Sequence, residues 1–515
     1  MKRTVLGLAA AVVVAIAVVV AAVVLSTGRS SSGPASRAGT PVPVTTPASA
    51  PVPATVTMSA SARAAAVPRS FLGVSTEYWT VPVWTAHMRL LTRVFGLLQA
   101  NGPLVLRIGG DSADHTFWAP RQELPEWVFE LTPSWLRQVS ALVRRTRASL
   151  ILDLNLVTAT PANAAQWART AEARLPRESI VGFEIGNEPD IYSHGSWLSA
   201  TGGGRGSRAL PRRITAGDYA QVYAAYAAAL QKVDPGVPLL GPALAEPQSH
   251  YRWLATLVSG PHRGLTALTV HRYPYSQCAR RGARTFPTIA RVLSENATAG
   301  MAATIRRAER LATAGGLPLR LTEINSVTCG GRRGVSDTFA TALWAPDALF
   351  ELLHAGARSA SVHVRANAIN MAFELTPRGF IAHPLFYGMT LFSRALGADP
   401  RLVALHLAAP PRSHLKAWAV RVRGGRLNVL LIDKGSRTAR VTLRLPAAGA
   451  ASVERLLAPT VRSTGAVTLA GQHLDAQARW VGRRTTETVP AGPGGYEVTV
   501  GGMSAALVSL PPARR

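Results

Sequence analysis

Eight short apolar runs, each followed by a stretch with helical spacing, constrain this 515-residue chain more than any other feature. They are "SFLGVSTEY" (70–78), "LVLRIGG" (104–110), "SLILDLNL" (149–156), "VGFEIGNEP" (181–189), "PLLGPAL" (238–244), "ALTVHRYP" (267–274), "LRLTEINS" (319–326) and "SASVHVR" (359–365). Between them lie segments such as "DYAQVYAAYAAALQKV" (218–233) and "DTFATALWAPDALFELLHAG" (337–356), with apolar residues at i, i+3 and i+4. Strand and helix alternating at steps of roughly 30 to 60 residues predict an α/β fold, a (β/α)8 barrel over residues 67–395. A doubly wound sheet is the alternative, but no Gly-rich phosphate fingerprint opens a helix after the first strand.

From about residue 400 the pattern changes. "HLKAWAVRVRGGRLNVLLIDKG", "ARVTLRLP", "SVERLLAP" and "GYEVTVGGMSAALVSLP" alternate with period two and are broken by Gly-Gly and Pro turns. They predict a C-terminal antiparallel β-sandwich over residues 396–512. Residues 55–66, "TVTMSASARAAA", alternate in the same way and precede the first barrel strand, so they are expected to return to that sandwich.

Upstream, Lys2 and Arg3 precede an uncharged apolar run from Val5 to Leu25, near the ~20 residues that span a bilayer. Residues 1–27 read as a signal anchor or a signal peptide, with the basic flank keeping the N-terminus inside. Both readings place the remainder in the extracellular space or cell envelope: tethered to the membrane if the segment stays, secreted if it is removed. Residues 28–54 are rich in Pro, Ser and Thr and read as an extended spacer.

The net charge is +28, yet only four residues are Lys and the arginines are scattered through every region. A nucleic-acid partner would call for basic runs, so none is expected. An Arg-biased composition and attraction to an acidic glycan or an anionic envelope both fit this distribution. The only cysteines are Cys278 and Cys329. In an exported chain a lone pair reads as one disulfide, and two thiols alone make a poor metal site.

A barrel offers its reactive side chains at the carboxyl ends of its strands. Reading only those ends collects Glu77, Arg107, Asp111, Asp114, Asn155, Asn187, Glu188, His271, Tyr273, Glu323 and His363. Such a rim suits sugar hydroxyls, and a glycosidase needs two carboxyl groups across the scissile bond. Glu188 and Glu323 end the fourth and seventh strands, across the mouth from each other. Strict alternation puts Asn187 on the face opposite Glu188 unless the strand end is bulged. Glu77, Asp111 and Asn155 are candidate contacts to substrate hydroxyls. Asp114, His271 and His363 read more simply as packing residues, and Asp190 as the start of a loop. Trp79 and Trp118 are candidates to stack on sugar rings.

"GNEP" closing the fourth strand and "TE" closing the seventh resemble the retaining glycoside hydrolases of clan A. "FLGVSTEY", "LRIGGDSAD", "GFEIGNEPD", "HRYP" before Cys278, and "TEINSVTCGG" followed by "GVSDTFATALWAPDALFEL" are together similar to glycoside hydrolase family 79, the β-glucuronidases and heparanases. The resemblance spans about residues 55–512. It implies Glu188 as general acid/base and Glu323 as nucleophile, with Arg107 and Tyr273 holding Glu323 charged and Asn187 on the sugar 2-OH. The loops carrying Cys278 and Cys329 follow neighbouring strands at the active face, which makes a Cys278–Cys329 bridge reasonable. In the family the loop after the seventh strand helps recognise a uronate carboxylate, a role that falls here to Gly330. Thr328 stands where some members place a bulkier hydroxyl residue.

The expected activity is therefore an exported retaining β-glycosidase acting on β-glucuronides, with a carbohydrate as partner and no metal or organic cofactor. A clan A enzyme for xylosides or arabinosides, and a non-catalytic glycan-binding envelope protein, are the alternatives.

Overall fold

The computed structural model describes residues 50–59, 65–118, 128–194, 214–260, 262–411 and 413–513. The apolar segment 1–27, the spacer up to residue 49 and most of the 193–209 insertion lie outside them. Among the described residues no helix is long and apolar enough to cross a membrane.

Eight parallel strands close into a barrel: β1 Leu72–Glu77, β2 Val105–Gly109, β3 Ser149–Leu154, β4 Ile180–Ile185, β5 Leu239–Leu244, β6 Leu265–Arg272, β7 Leu319–Ile324 and β8 Ser359–His363. They pair in sequence order, and β8 returns to β1 with Ala360 opposite Leu72. Helices cover the outside and polar side chains occupy the inside, so the strands are buried on both faces and read as nearly continuous apolar runs. Helix starts follow local chemistry. Thr132 and Thr160 accept the N–H of Trp135 and Asn163 ahead of a proline, and Thr215 forms a capping box with Asp218.

The C-terminal sheets bury their own core, built around Val56, Val429, Leu431, Val441, Val498 and Val508. Strand Val52–Met58 starts within the segment read as spacer and lies between two C-terminal strands. It pairs antiparallel with Leu405–Ala408 and parallel with Ala439–Arg444, so the sandwich is not purely antiparallel. Ala65–Ala66 joins the other sheet beside Arg401–Val403. Polar contacts fasten the sandwich to the barrel helix Phe339–His354. Buried Lys434 meets Asp347 at 2.7 Å, Lys416 meets Glu351 at 2.8 Å, and Trp418 stacks on Phe350 at 5.5 Å. Each lysine has a carboxylate partner, which offsets the cost of removing it from water.

Candidate active site

The strand that delivers Glu188 does not stay pleated. After β4 the chain turns through Gly186 at φ 83° and Glu188 at φ 51°, and the Glu188 N–H donates to the Ala243 carbonyl. A Cβ on Gly186 would lie 2.6 Å from Leu156, so glycine is needed for both conformation and space. The break in alternation lets Asn187 and Glu188 both face the mouth. Asn187 Oδ1 accepts from Arg107 Nη2 at 3.0 Å, and its amide reaches Asp111 at 3.4 Å.

Glu323 arrives by a related device. The register between β7 and β8 shifts after Leu321, and across that irregularity consecutive residues both act inside the barrel. Thr322 Oγ1 donates to Glu184 Oε1 at 2.7 Å, while Glu323 Oε2 accepts from Arg107 Nη1 at 3.0 Å. The Tyr273 hydroxyl donates to Glu323 Oε1, and His363 Nδ1 lies 3.1 Å from Oε2.

Arg107 organises this floor. Its buried guanidinium donates to Glu184 at 2.8 Å, Asp153 at 2.8 Å, Glu323, Asn187 and, at 3.4 Å, Ser75. Burial alone would lower its pKa, but Glu184, Asp153 and Glu323 raise it instead. One cation among three carboxylates leaves an excess of negative charge. Burial lifts Asp153 well above the usual range, with Glu184 adding to the rise and Arg107 opposing it. Among the described residues Asp153 Oδ1 has no hydrogen-bond partner. A proton on Asp153 brings the cluster nearer balance.

The two mouth glutamates are driven apart. Burial pushes Glu188 up to about 7, and the charges of Glu323 and Asp111 add to the rise. His271, whose Nδ1 is 2.8 Å from Oε1, partly reverses it. Burial also acts to raise Glu323, but His363, His271 and Arg107 together take it well below the ordinary carboxylate range. Tyr273 is raised well above 10 by burial and by Glu323, so it remains a proton donor. A carboxylate oxygen from each glutamate and a ring nitrogen of His271 all lie within 4.8 Å of one another. The site thus pairs a protonatable acid with a held anion at close range.

The other predicted residues divide. Glu77 is buried, accepts the Ser112 N–H at 2.9 Å and lies 3.8 Å from His363 Nε2. Asp111 is exposed beside it. Asn155 does not join the site. Its oxygen accepts the N–H groups of Val157, Thr158 and Ala159, and its amide donates to Thr116 and Thr158, so it is consumed in shaping its own loop. Asp114 ties Leu156 to Tyr192, and Trp118 packs against Trp167 in the core. Asp190 accepts the first N–H groups of the next loop and meets His250 at 3.0 Å. His271 and His363, read as packing residues, flank the two glutamates.

Cys278 and Cys329 are joined, and beside them Tyr275–Ser276 pairs with Val327–Thr328. Gly330 follows at φ 75°, and a Cβ there would stand 3.3 Å from Arg365 Nη2. Glu184, Asp153 and Thr322 lie within their strands rather than at the strand ends that point to a barrel mouth. The signal existed: "LVLRIGG", "SLILDLNL" and "VGFEIG" each carry one charged residue inside an apolar run.

Barrel, mouth carboxylates and sandwich together define a glycoside hydrolase of the clan A fold. Residues 417–507 match the family model described as "Glycosyl hydrolase family 79 C-terminal beta domain". No curated protein sequence matches the chain. Among solved structures, the 4-O-α-L-rhamnosyl-β-D-glucuronidase of Fusarium oxysporum 12S superposes with a TM-score of 0.72 at 18% identity, covering 89% of this chain and 100% of that one. The GH51 arabinofuranosidase of Xanthomonas axonopodis pv. citri gives 0.63 at 15% identity, with 89% and 100% covered. A family 44 xyloglucanase of Paenibacillus polymyxa gives 0.62 at 11%, again over 89% and 100%. At these identities the likeness is one of fold.

Proposed function

We propose that this glycoside hydrolase is a retaining β-glucuronidase in which Glu188 is the general acid/base and Glu323 the nucleophile. The observation that carries the reading is the pair itself: two carboxylates with oxygens within 4.8 Å and opposite proton affinities. Retaining enzymes hold their carboxyls about 5–5.5 Å apart, too close for an intervening water. In the first step Glu323 attacks the anomeric carbon while Glu188 gives its proton to the departing glycosidic oxygen. His271 occupies Glu188 Oε1, leaving Oε2 to carry that proton. Once Glu323 is esterified its charge is gone and Glu188 loses one cause of its raised pKa. Glu188 is then ready to take a proton from the water that releases the sugar. Asn187 is assigned to the sugar 2-OH.

A uronate as substrate is supported by Arg365, which lies against Gly330 on the loop after β7 and has no ion-pair partner among the described residues. The cationic tendency of His363, raised by Glu323 and Glu77 against the effect of burial, favours the same sign of ligand. The likeness to a rhamnosyl-glucuronidase agrees with it. Action outside the cytoplasm is part of the proposal, resting on the apolar segment Val5–Leu25 and consistent with the disulfide.

A panel of aryl β-glucuronide, β-glucoside, β-xyloside and α-L-arabinofuranoside tests the reading. The glucuronide is expected to be cleaved with retention, seen by NMR of the first-formed anomer, and Glu323→Gln to lower kcat by about 10⁴-fold or more. Turnover of neutral glycosides alone would remove the uronate assignment, and an inverted first product would remove the mechanism.

A further inference from the structure

At the end of the barrel opposite the glutamates, the strand starts line an open cavity of about 660 Å³. Arg69, Arg144, Arg147, Arg320 and Arg358 line it, against one carboxylate, Glu178. None of the five arginines has an ion-pair partner among the described residues. Two of them have an ordinary explanation, since Arg144 and Arg147 sit at the C-terminal end of helix Pro133–Thr146, where a cation meets the negative end of the dipole. The exposed Arg69 fits a generally Arg-rich surface.

Arg320 and Arg358 do not fit either account. Arg320 is carried on β7 into the base of the barrel, half-buried, with Ser359 Oγ as the acceptor of its one hydrogen bond among the described residues. Arg358 immediately precedes that serine on the neighbouring strand. Burial, with the charge of Arg358 acting in the same direction, lowers the Arg320 pKa to about 10. Two like charges on adjacent strands, one of them half-desolvated, are a standing cost that a counter-anion removes. The apolar layer beneath them, Val105 and Val181 with Ile151, closes the floor of the pit.

We propose that this cavity binds a small polyanion, a molecule bearing two or more phosphate or sulfate groups. The volume is that of a small-molecule pocket, about 300–1,000 Å³. Guanidinium forks match oxyanions in bidentate geometry, and five of them exceed what a single carboxylate neutralises. The site is independent of the glycosidase reading, because it shares no residue with the mouth.

The test is calorimetric titration of the full chain at low salt with inorganic tripolyphosphate and, separately, with sucrose octasulfate. One saturating site per chain is expected. Tighter binding of the first identifies phosphate as the natural group, and tighter binding of the second identifies a sulfated sugar. Arg320→Gln with Arg358→Gln should weaken binding at least about tenfold, since each charge-assisted contact is worth roughly that much. If that variant does not fold, Arg144→Gln with Arg147→Gln, both exposed, carries the same expectation. The sandwich pair Arg423→Gln with Arg444→Gln should leave affinity unchanged, as should Glu323→Gln. Absence of a saturating site overturns the proposal. Equal weakening by the sandwich pair overturns it in favour of bulk charge, and loss with Glu323→Gln moves the anion to the mouth.

Discussion

The two ends of the barrel solve opposite electrostatic problems with the same side chain. At the mouth, Arg107 is fully buried and every arm of its guanidinium has an oxygen partner, three of them carboxylates. At the base, Arg320 is half-buried and meets one hydroxyl, with another arginine beside it. A charge surrounded by partners is structural and tunes its neighbours. A charge left without them is available to something else. The comparison teaches that paired and unpaired guanidinium separates scaffold from binding surface in a chain whose composition is Arg-rich throughout.

Removing the paired cation is the most damaging way to probe that difference. Arg107→Met leaves Glu184 and Glu323 buried without their counter-charge, and breaking such a buried network costs about 3–5 kcal/mol. The shift in denaturant midpoint measures it. A loss below about 1 kcal/mol would mean that the carboxylates simply take up protons and that Arg107 is not the keystone of the floor.

The sequence reading reached the mouth through the residues that end strands. Glu188, Glu323, Arg107 and Tyr273 are brought together as that reading collected them, because a barrel converts strand order into position around a ring. What it missed follows from two local events. The kink at Gly186 and the irregularity after Leu321 break period-two alternation, so Asn187 and Thr322 face inward where a pleat would send one of each pair outward. Asn155 was misassigned for a complementary reason. Its position at a strand end is correct, but the loop folds back on it and uses every polar atom. Histidines 271 and 363 looked like packing residues because their partners, the glutamates, come from strands distant in sequence. Arg365 escaped notice because its relation to Gly330 is a contact between two loops.

A smaller effect sharpens the account of the mouth. On the proposed mechanism Glu188 works as an acid while protonated, so turnover should fall as pH rises through its pKa of about 7, whereas Glu323 stays charged to well below 4.5. Burial raises Glu188, and the hydrogen bond and charge of His271 lower it. In His271→Leu the lowering influence is removed, so the basic limb of the kcat/KM profile should move to higher pH. The acidic limb also moves upward, because His271 helps hold Glu323 down. A basic limb that moves to lower pH would sink the assignment of Glu188 as the acid that His271 restrains.

The mildest substitution is the one that most directly opposes the two ends. Arg320→Met removes a guanidinium that has no carboxylate to strand, keeps most of the aliphatic stem, and relieves repulsion from Arg358. Against these gains stands one lost hydrogen bond to Ser359, about 1 kcal/mol. Stability without added anion should therefore change by no more than about 1 kcal/mol, in contrast to the cost at Arg107. Saturating tripolyphosphate should then raise the Tm of the parent chain and raise that of Arg320→Met less, since only an anion held by Arg320 contributes its binding energy to the folded state. A cost at Arg320 as large as that at Arg107, measured in the same denaturant series, would show that the base is scaffold too.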